Sequence, residues 1–62
     1  MIEGKIIQEI EAGDQAILIL DNGEEIKIEK TMLSKIVEDR GLILGCNIAF
    51  NEEEKQIYFE EK

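Results

Sequence analysis

A small, mostly β domain is what this sequence predicts. Five short strands form a strongly bent or barrel-like sheet, SH3-like or OB-like, with one short helix between strands 3 and 4, in the order β-β-β-α-β-β. Three observations carry that expectation. Apolar and polar residues alternate over several short stretches. The turn signal Asp21-Asn22-Gly23-Glu24 separates two of them. The period changes to that of a helix only between Lys30 and Arg40. With 62 residues, the chain makes a single domain spanning 1–62.

In the first segment, Ile2 to Ile10, the residues Ile2, Ile6 and Ile10 share one parity and Lys5 and Glu9 take the other. That is the pattern of a half-buried strand, with Gly4 as the expected bend or bulge. Ala12-Gly13-Asp14 signals a turn. Gln15 to Leu20 is almost continuously apolar, as a central strand would be. Asn22-Gly23 accepts positive φ at both central positions of a tight turn, so Gln15–Asp21 and Glu24–Glu29 are expected to form a β-hairpin. In its second arm Ile26 and Ile28 face one side and Glu25, Lys27 and Glu29 the other.

Over Lys30 to Arg40, Met32, Leu33, Ile36 and Val37 fall on one helical stripe. Thr31 is the expected N-cap and Gly41 the expected terminator. So short a helix does not hold alone in water and must pack on the sheet. Leu42 to Phe50 then returns to strand, with Leu42, Leu44, Cys46, Ile48 and Phe50 on one parity and Gly45 permitting a sharp bend. Asn51 to Lys55 is a charged turn, and Gln56 to Glu60 a last strand with Ile57 and Phe59 inward and Tyr58 outward. A flat sheet this small would leave both faces wet, so the sheet is expected to bend and partly close.

From Gly4 to Phe50 this pattern resembles the small-barrel superfolds. The glycine-led first strand Gly4-Lys5-Ile6-Ile7, the segment Leu20-Asp21-Asn22-Gly23-Glu24-Glu25-Ile26, the helical link and Ile48 in a closing strand are similar to the S1-like barrel of translation initiation factor one. The hairpin also looks like that of small uncharacterised bacterial barrel families. The resemblance implies a fold and, through the initiation factor, a nucleic-acid-binding role. The composition speaks against that role. Nucleic-acid barrels need a basic face with stacking aromatics, whereas the seven Lys and Arg residues here are scattered and Tyr58 is the only aromatic expected outside.

The net charge of −8 disfavours direct contact with nucleic-acid phosphates or anionic lipid, and favours a basic partner or plain solubility. The start Met-Ile-Glu-Gly-Lys has no basic, then apolar, leader pattern, and the longest apolar run, Ala16 to Leu20, is too short to span a membrane. One cysteine fits a reducing compartment, so a cytoplasmic location is expected. With a single thiol and no histidine, neither a disulfide within the chain nor a metal or other cofactor is expected to stabilise it. Good packing or self-association into a homodimer is left to do so.

No catalytic constellation is expected. Cys46, Ser34 and Thr31 have no histidine to activate them, and Cys46 reads as a core residue. The carboxylates fall mainly in turns, without the dry pocket a general acid needs. Two sets remain as candidate interaction residues. One is apolar: Tyr58 and Ile43, with Ile7 and Ile17, residues of the minority parity that lie either under the helix or in an exposed patch. The other is acidic: Glu24, Glu25, Glu52, Glu53 and Glu54 in the turns. They point to a non-catalytic protein-interaction or assembly module, or else to an acidic inhibitor that mimics nucleic acid on another protein's basic site.

Overall fold

The computed structural model describes residues 1–60; Glu61 and Lys62, members of the terminal acidic pair and of the scattered basic set, lie outside the described residues. The elements are β1 (Ile2–Ala12), β2 (Gln15–Leu20), β3 (Glu25–Glu29), α1 (Lys30–Arg40), β4 (Asn47–Asn51) and β5 (Gln56–Phe59). All strand pairs are antiparallel, in the order β3-β2-β1-β4-β5. The predicted element order holds, but among the described residues β3 and β5 are unpaired edges and the sheet stays open between them. No helix among the described residues is long and apolar enough to cross a membrane.

β1 serves both wings of this sheet. Its first half, Ile2 to Lys5, pairs with β4, and its second half, from Ile6 onward, pairs with β2. The change of partner is marked by a bulge. Ile6 lies opposite Leu20 and Gln8 opposite Ile19, so Ile7 is the extra residue. The bulge therefore falls at Ile7 and not at the expected Gly4, and it reverses the parity of everything after it. Ile6 is in the core, whereas Ile10 pairs with Ile17 on the outer face.

Gly4 has a different purpose. A Cβ there would stand 3.1 Å from both Asp21 Oδ1 and Leu20 Cβ, closer than side chains ordinarily pack, so glycine suits this approach of the two strands.

The turns depart from expectation in an informative way. The β2–β3 connection is a three-residue loop, Asp21 to Gly23, closed by the Leu20 amide donating to the Glu24 carbonyl at 2.9 Å. Only Gly23 has positive φ, at 89°, so the predicted turn with both Asn22 and Gly23 left-handed gives way to a right-handed turn ending in glycine. The loop is bound to β1. The Asp21 amide donates to the Lys5 carbonyl, the Lys5 amide donates to Asp21 Oδ1, and Asn22 Nδ2 donates to the Glu3 carbonyl. These bonds satisfy the β1 backbone where β2 has already turned away.

α1 begins after Glu29, which takes the N-cap position without a side-chain bond, so Thr31 is not the cap. A tertiary contact replaces it. The Lys30 amide donates to the Asp14 carbonyl at 3.0 Å, and Lys30 Nζ pairs with Glu11 at 3.5 Å. At the other end Gly41, with φ 83°, donates to the Val37 carbonyl and stops the helix as expected. Arg40, in the last turn, lies 4.2 Å over the Phe59 ring. The helix thus ties the β1–β2 hairpin tip to β5. Of its apolar stripe, Leu33 is buried, Met32 and Ile36 pack against the core, and Val37 lies at the margin.

Leu42 to Cys46 is a turn and not the start of a strand; strand begins only at Asn47. The Cys46 amide donates to the Ile43 carbonyl with Gly45 at φ 89°, the geometry of a turn that demands glycine as its third residue. The Gly45 amide donates to the Ile6 carbonyl at 2.7 Å and the Ile6 amide to the Cys46 carbonyl at 3.0 Å, which locks this turn to β1. The core is aliphatic: Ile6, Leu18, Leu20, Ile26, Ile43 and Ile48 are almost wholly buried, with Ala16, Ile28, Leu33 and Phe50 around them.

Candidate interaction surfaces

The sheet presents two surfaces that its own packing leaves unused. One is the outer face of the β1–β2–β3 wing. Cross-strand partners share a face, so Ile10, Ile17 and Ile19 form an apolar row there, with the polar Gln8 opposite Ile19. Across β3 the row is bordered by Lys27, opposite Ile17, and Glu25, opposite Ile19. Ile7 at the bulge is well exposed, and Ile17 and Ile19 are half-buried by their neighbours. Of these, sequence reasoning identified Ile7 and Ile17. It did not single out Ile19, and it missed Ile10 because the bulge inverts the parity on which Ile10 was assigned to the core.

The second surface is the open seam between β3, α1 and the β4–β5 loop. It forms a groove with two parts that share Lys27 and Lys55. The part against the helix has a volume of about 460 Å³ and is lined by Lys27, Lys35 and Lys55 with Glu29 as its one carboxylate. The part toward the hairpin end has a volume of about 270 Å³ and sets Glu25 and Glu52 beside the same Lys27 and Lys55. Ile26, Ile28 and Phe50 form its floor. Lys55 has φ 55°, a backbone conformation unusual for a side-chain-bearing residue, in the tight turn that closes this side.

The predicted candidates distribute as follows. Tyr58 stands on the outer face of β5, opposite Ala49 and 50% exposed. Its hydroxyl donates to Glu54 Oε1 at 2.8 Å, so one member of the apolar set and one of the acidic set meet. That hydrogen bond, and after it the negative charge of Glu54, raise the phenol's pKa above its ordinary value of 10.0. The acidic loop is shaped by Asn51, whose Oδ1 accepts from the Glu53 and Glu54 amides. Glu25 and Glu52 line the same part of the seam; Glu24 sits in the β2–β3 turn, its amide donating to Asn22 Oδ1.

Ile43 requires correction. It is 0% exposed, so it belongs to the core and offers nothing to a partner. Its neighbours Leu42, 77% exposed, and Leu44 take the surface positions. The signal for this was Gly45, which marks a turn in which strand parity does not apply. Cys46, expected in the core, is half-buried and packs against it.

Comparison with protein-family models, with curated proteins and with solved structures finds no match to this chain.

Proposed function

We propose that this chain is a small, non-catalytic assembly module that associates with a second copy of itself through the outer face of the β1–β2–β3 wing. The observation that carries this reading is the row of Ile10, Ile17 and Ile19 on the side of the sheet turned away from the core. A one-layer wing needs apolar residues on its inner face only, and a contiguous outer apolar row is the usual mark of an interface. A second copy is favoured as the occupant because a domain of this length buries little of its surface alone and gains most from covering that row. We further infer an OB-like in place of an SH3-like architecture. Its support is the helix between β3 and β4 and the shared use of β1 by two wings, which suit a partly open five-stranded barrel.

A second reading, an acidic inhibitor of a basic site, draws on Glu25 and Glu52 lining the same part of the seam. Lys27 and Lys55 line the same part of the seam and offset that charge, so the assembly reading is preferred. The same net charge of −8 weighs against the nucleic-acid-binding alternative.

Light scattering over a range of protein and salt concentrations tests the assembly reading. A dimer mass that reverts to monomer on Ile17→Thr with Ile10→Thr supports it; a monomer at every concentration overturns it.

A further inference from the structure

The β2–β3 turn has a chemistry of its own. Asn22 is followed by Gly23, and both are exposed. A glycine after asparagine leaves its backbone nitrogen free of the side-chain bulk that otherwise screens it from the asparagine amide carbon. Nothing lies within 4 Å of where a Cβ would stand on Gly23, so water reaches the pair from outside. The other two asparagines, Asn47 and Asn51, precede Ile48 and Glu52, whose side chains hinder the same approach.

The reaction open to this pair is intramolecular. Hydroxide takes the Gly23 amide proton, and the nitrogen attacks Asn22 Cγ. The new C–N bond closes a five-membered succinimide ring while the Cγ–Nδ2 bond breaks and Nδ2 departs as ammonia. Water then opens the ring at either carbonyl. The product is aspartate or isoaspartate, and nothing is oxidised or reduced.

The fold acts on each of the reacting groups. The Gly23 amide donates to the Leu20 carbonyl at 3.0 Å, which holds the proton that must leave. Asn22 Nδ2, the leaving group, donates to the Glu3 carbonyl at 2.7 Å. Attack on Cγ sacrifices both bonds. One contact works the other way: the Glu24 amide donates to Asn22 Oδ1 at 2.9 Å, where negative charge develops on attack. The restraints are reinforced by the two bonds between Asp21 and Lys5, which hold the loop against β1.

We propose that Asn22-Gly23 is a site of self-deamidation that the folded turn holds in check, and that its conversion releases the turn from β1 irreversibly. The product cannot remake the bond to β1. A carboxylate only accepts, and here it faces another acceptor, the Glu3 carbonyl. Isoaspartate also lengthens the main chain of the loop that the Leu20 amide and Glu24 carbonyl close. This inference does not rest on the assembly reading, which concerns the outer apolar row.

The test incubates the full chain in mildly alkaline buffer, folded and in guanidinium chloride. Asn22, Asn47 and Asn51 are followed by peptide mass spectrometry, with aspartate and isoaspartate separated by chromatography. Conversion confined to Asn22 is expected, slower in the folded chain by roughly tenfold, the factor that two exposed hydrogen bonds of ordinary strength supply. Asp21→Ala removes the bond from the Lys5 amide without touching the reacting atoms. It should speed conversion of the folded chain and leave the rate in denaturant unchanged. The purified isoaspartate product should unfold at lower urea than fresh protein and show shifted amides at residues 3–5 in NMR spectra. The proposal is overturned if Asn22 stays intact in denaturant. An equal or faster rate in the folded chain also overturns it, since the Glu24 amide would then outweigh the restraints. So does an unchanged folded rate in Asp21→Ala, or a product with the urea midpoint of fresh protein. Should Asp21→Ala fail to fold, the comparison of folded with unfolded wild type still decides.

Discussion

Asn22 donates from Nδ2 to the Glu3 carbonyl at 2.7 Å, and through its Oδ1 it accepts from the Glu24 amide at 2.9 Å. One side chain thus both shapes the β2–β3 turn and fastens it to the far half of β1. With the two Asp21–Lys5 bonds it seals a stretch of β1 backbone that no strand covers on that side.

Replacing Asn22 by Ala removes both bonds. They are solvent-exposed, so each contributes near the low end of the usual range, and the loss is expected to total about 1 kcal/mol. The urea midpoint should fall with an unchanged slope. Asn22→Asp keeps the acceptor but sets a carboxylate beside the Glu3 carbonyl, and should rescue little.

Gly4→Ala places a methyl group 3.1 Å from Leu20 Cβ and Asp21 Oδ1. Overpacking of this kind costs about 1–3 kcal/mol. In a domain of this size each kcal/mol is worth roughly 4–8 °C in melting temperature. A clear drop by calorimetry is the expected result, and an unchanged melting temperature would show that β1 and β2 separate freely there.

Ile43 and Leu42 are neighbours with opposite roles. Ile43→Ala should cost about 2–5 kcal/mol, comparable to the whole stability of a domain this small, about 3–5 kcal/mol. Its circular dichroism spectrum should be largely unfolded at 25 °C. Leu42→Ser should change stability by no more than about 0.5 kcal/mol. The reverse ranking would restore a strand through this segment.

Tyr58 is the only tyrosine and there is no tryptophan, so its ionisation is directly visible by ultraviolet absorbance. The wild-type midpoint should lie above 10.0, and Glu54→Ala should lower it toward that value, since Glu54 supplies the two largest causes of the shift. The neutral phenol is the form the fold prefers. Its contribution to stability is therefore complete below the unfolded pKa and is lost as pH rises through the higher folded one. Around pH 8 that contribution is present in full, and stability should not vary with pH through this group.

Much of the fold was legible because alternation and turn chemistry agreed with each other. Glu25 to Glu29 alternates without exception, and its Ile26 and Ile28 are buried as read. Helix α1 occupies the predicted Lys30 to Arg40 because the period changed there and Gly41 stopped it. The misreadings arise at Ile7 and at the turn from Ile43 to Cys46. Strand parity has only two values, so one extra residue moves everything beyond it to the other face. Nothing in the composition around Ile7 marks it as the bulge; the need for β1 to pass from one wing to the other creates it. Ile10 was misplaced for that reason, and Ile43 because a glycine turn was read as strand. The lysine groove was invisible for another reason: residues 27, 35 and 55 meet only through the tertiary fold.

The divided use of β1 also orders events during synthesis. Its second half can pair with β2 as soon as residue 20 has left the ribosome, across a turn of two residues. Its first half must wait for β4, some thirty residues further on by the register Lys5↔Asn47 to Ile2↔Phe50. Through that interval the segment from Ile2 to Lys5 has only Asp21 and Asn22 to hold it. The β2–β3 turn is then a temporary clasp on a nascent chain, keeping an incomplete strand from other nascent chains until the strand that completes it arrives.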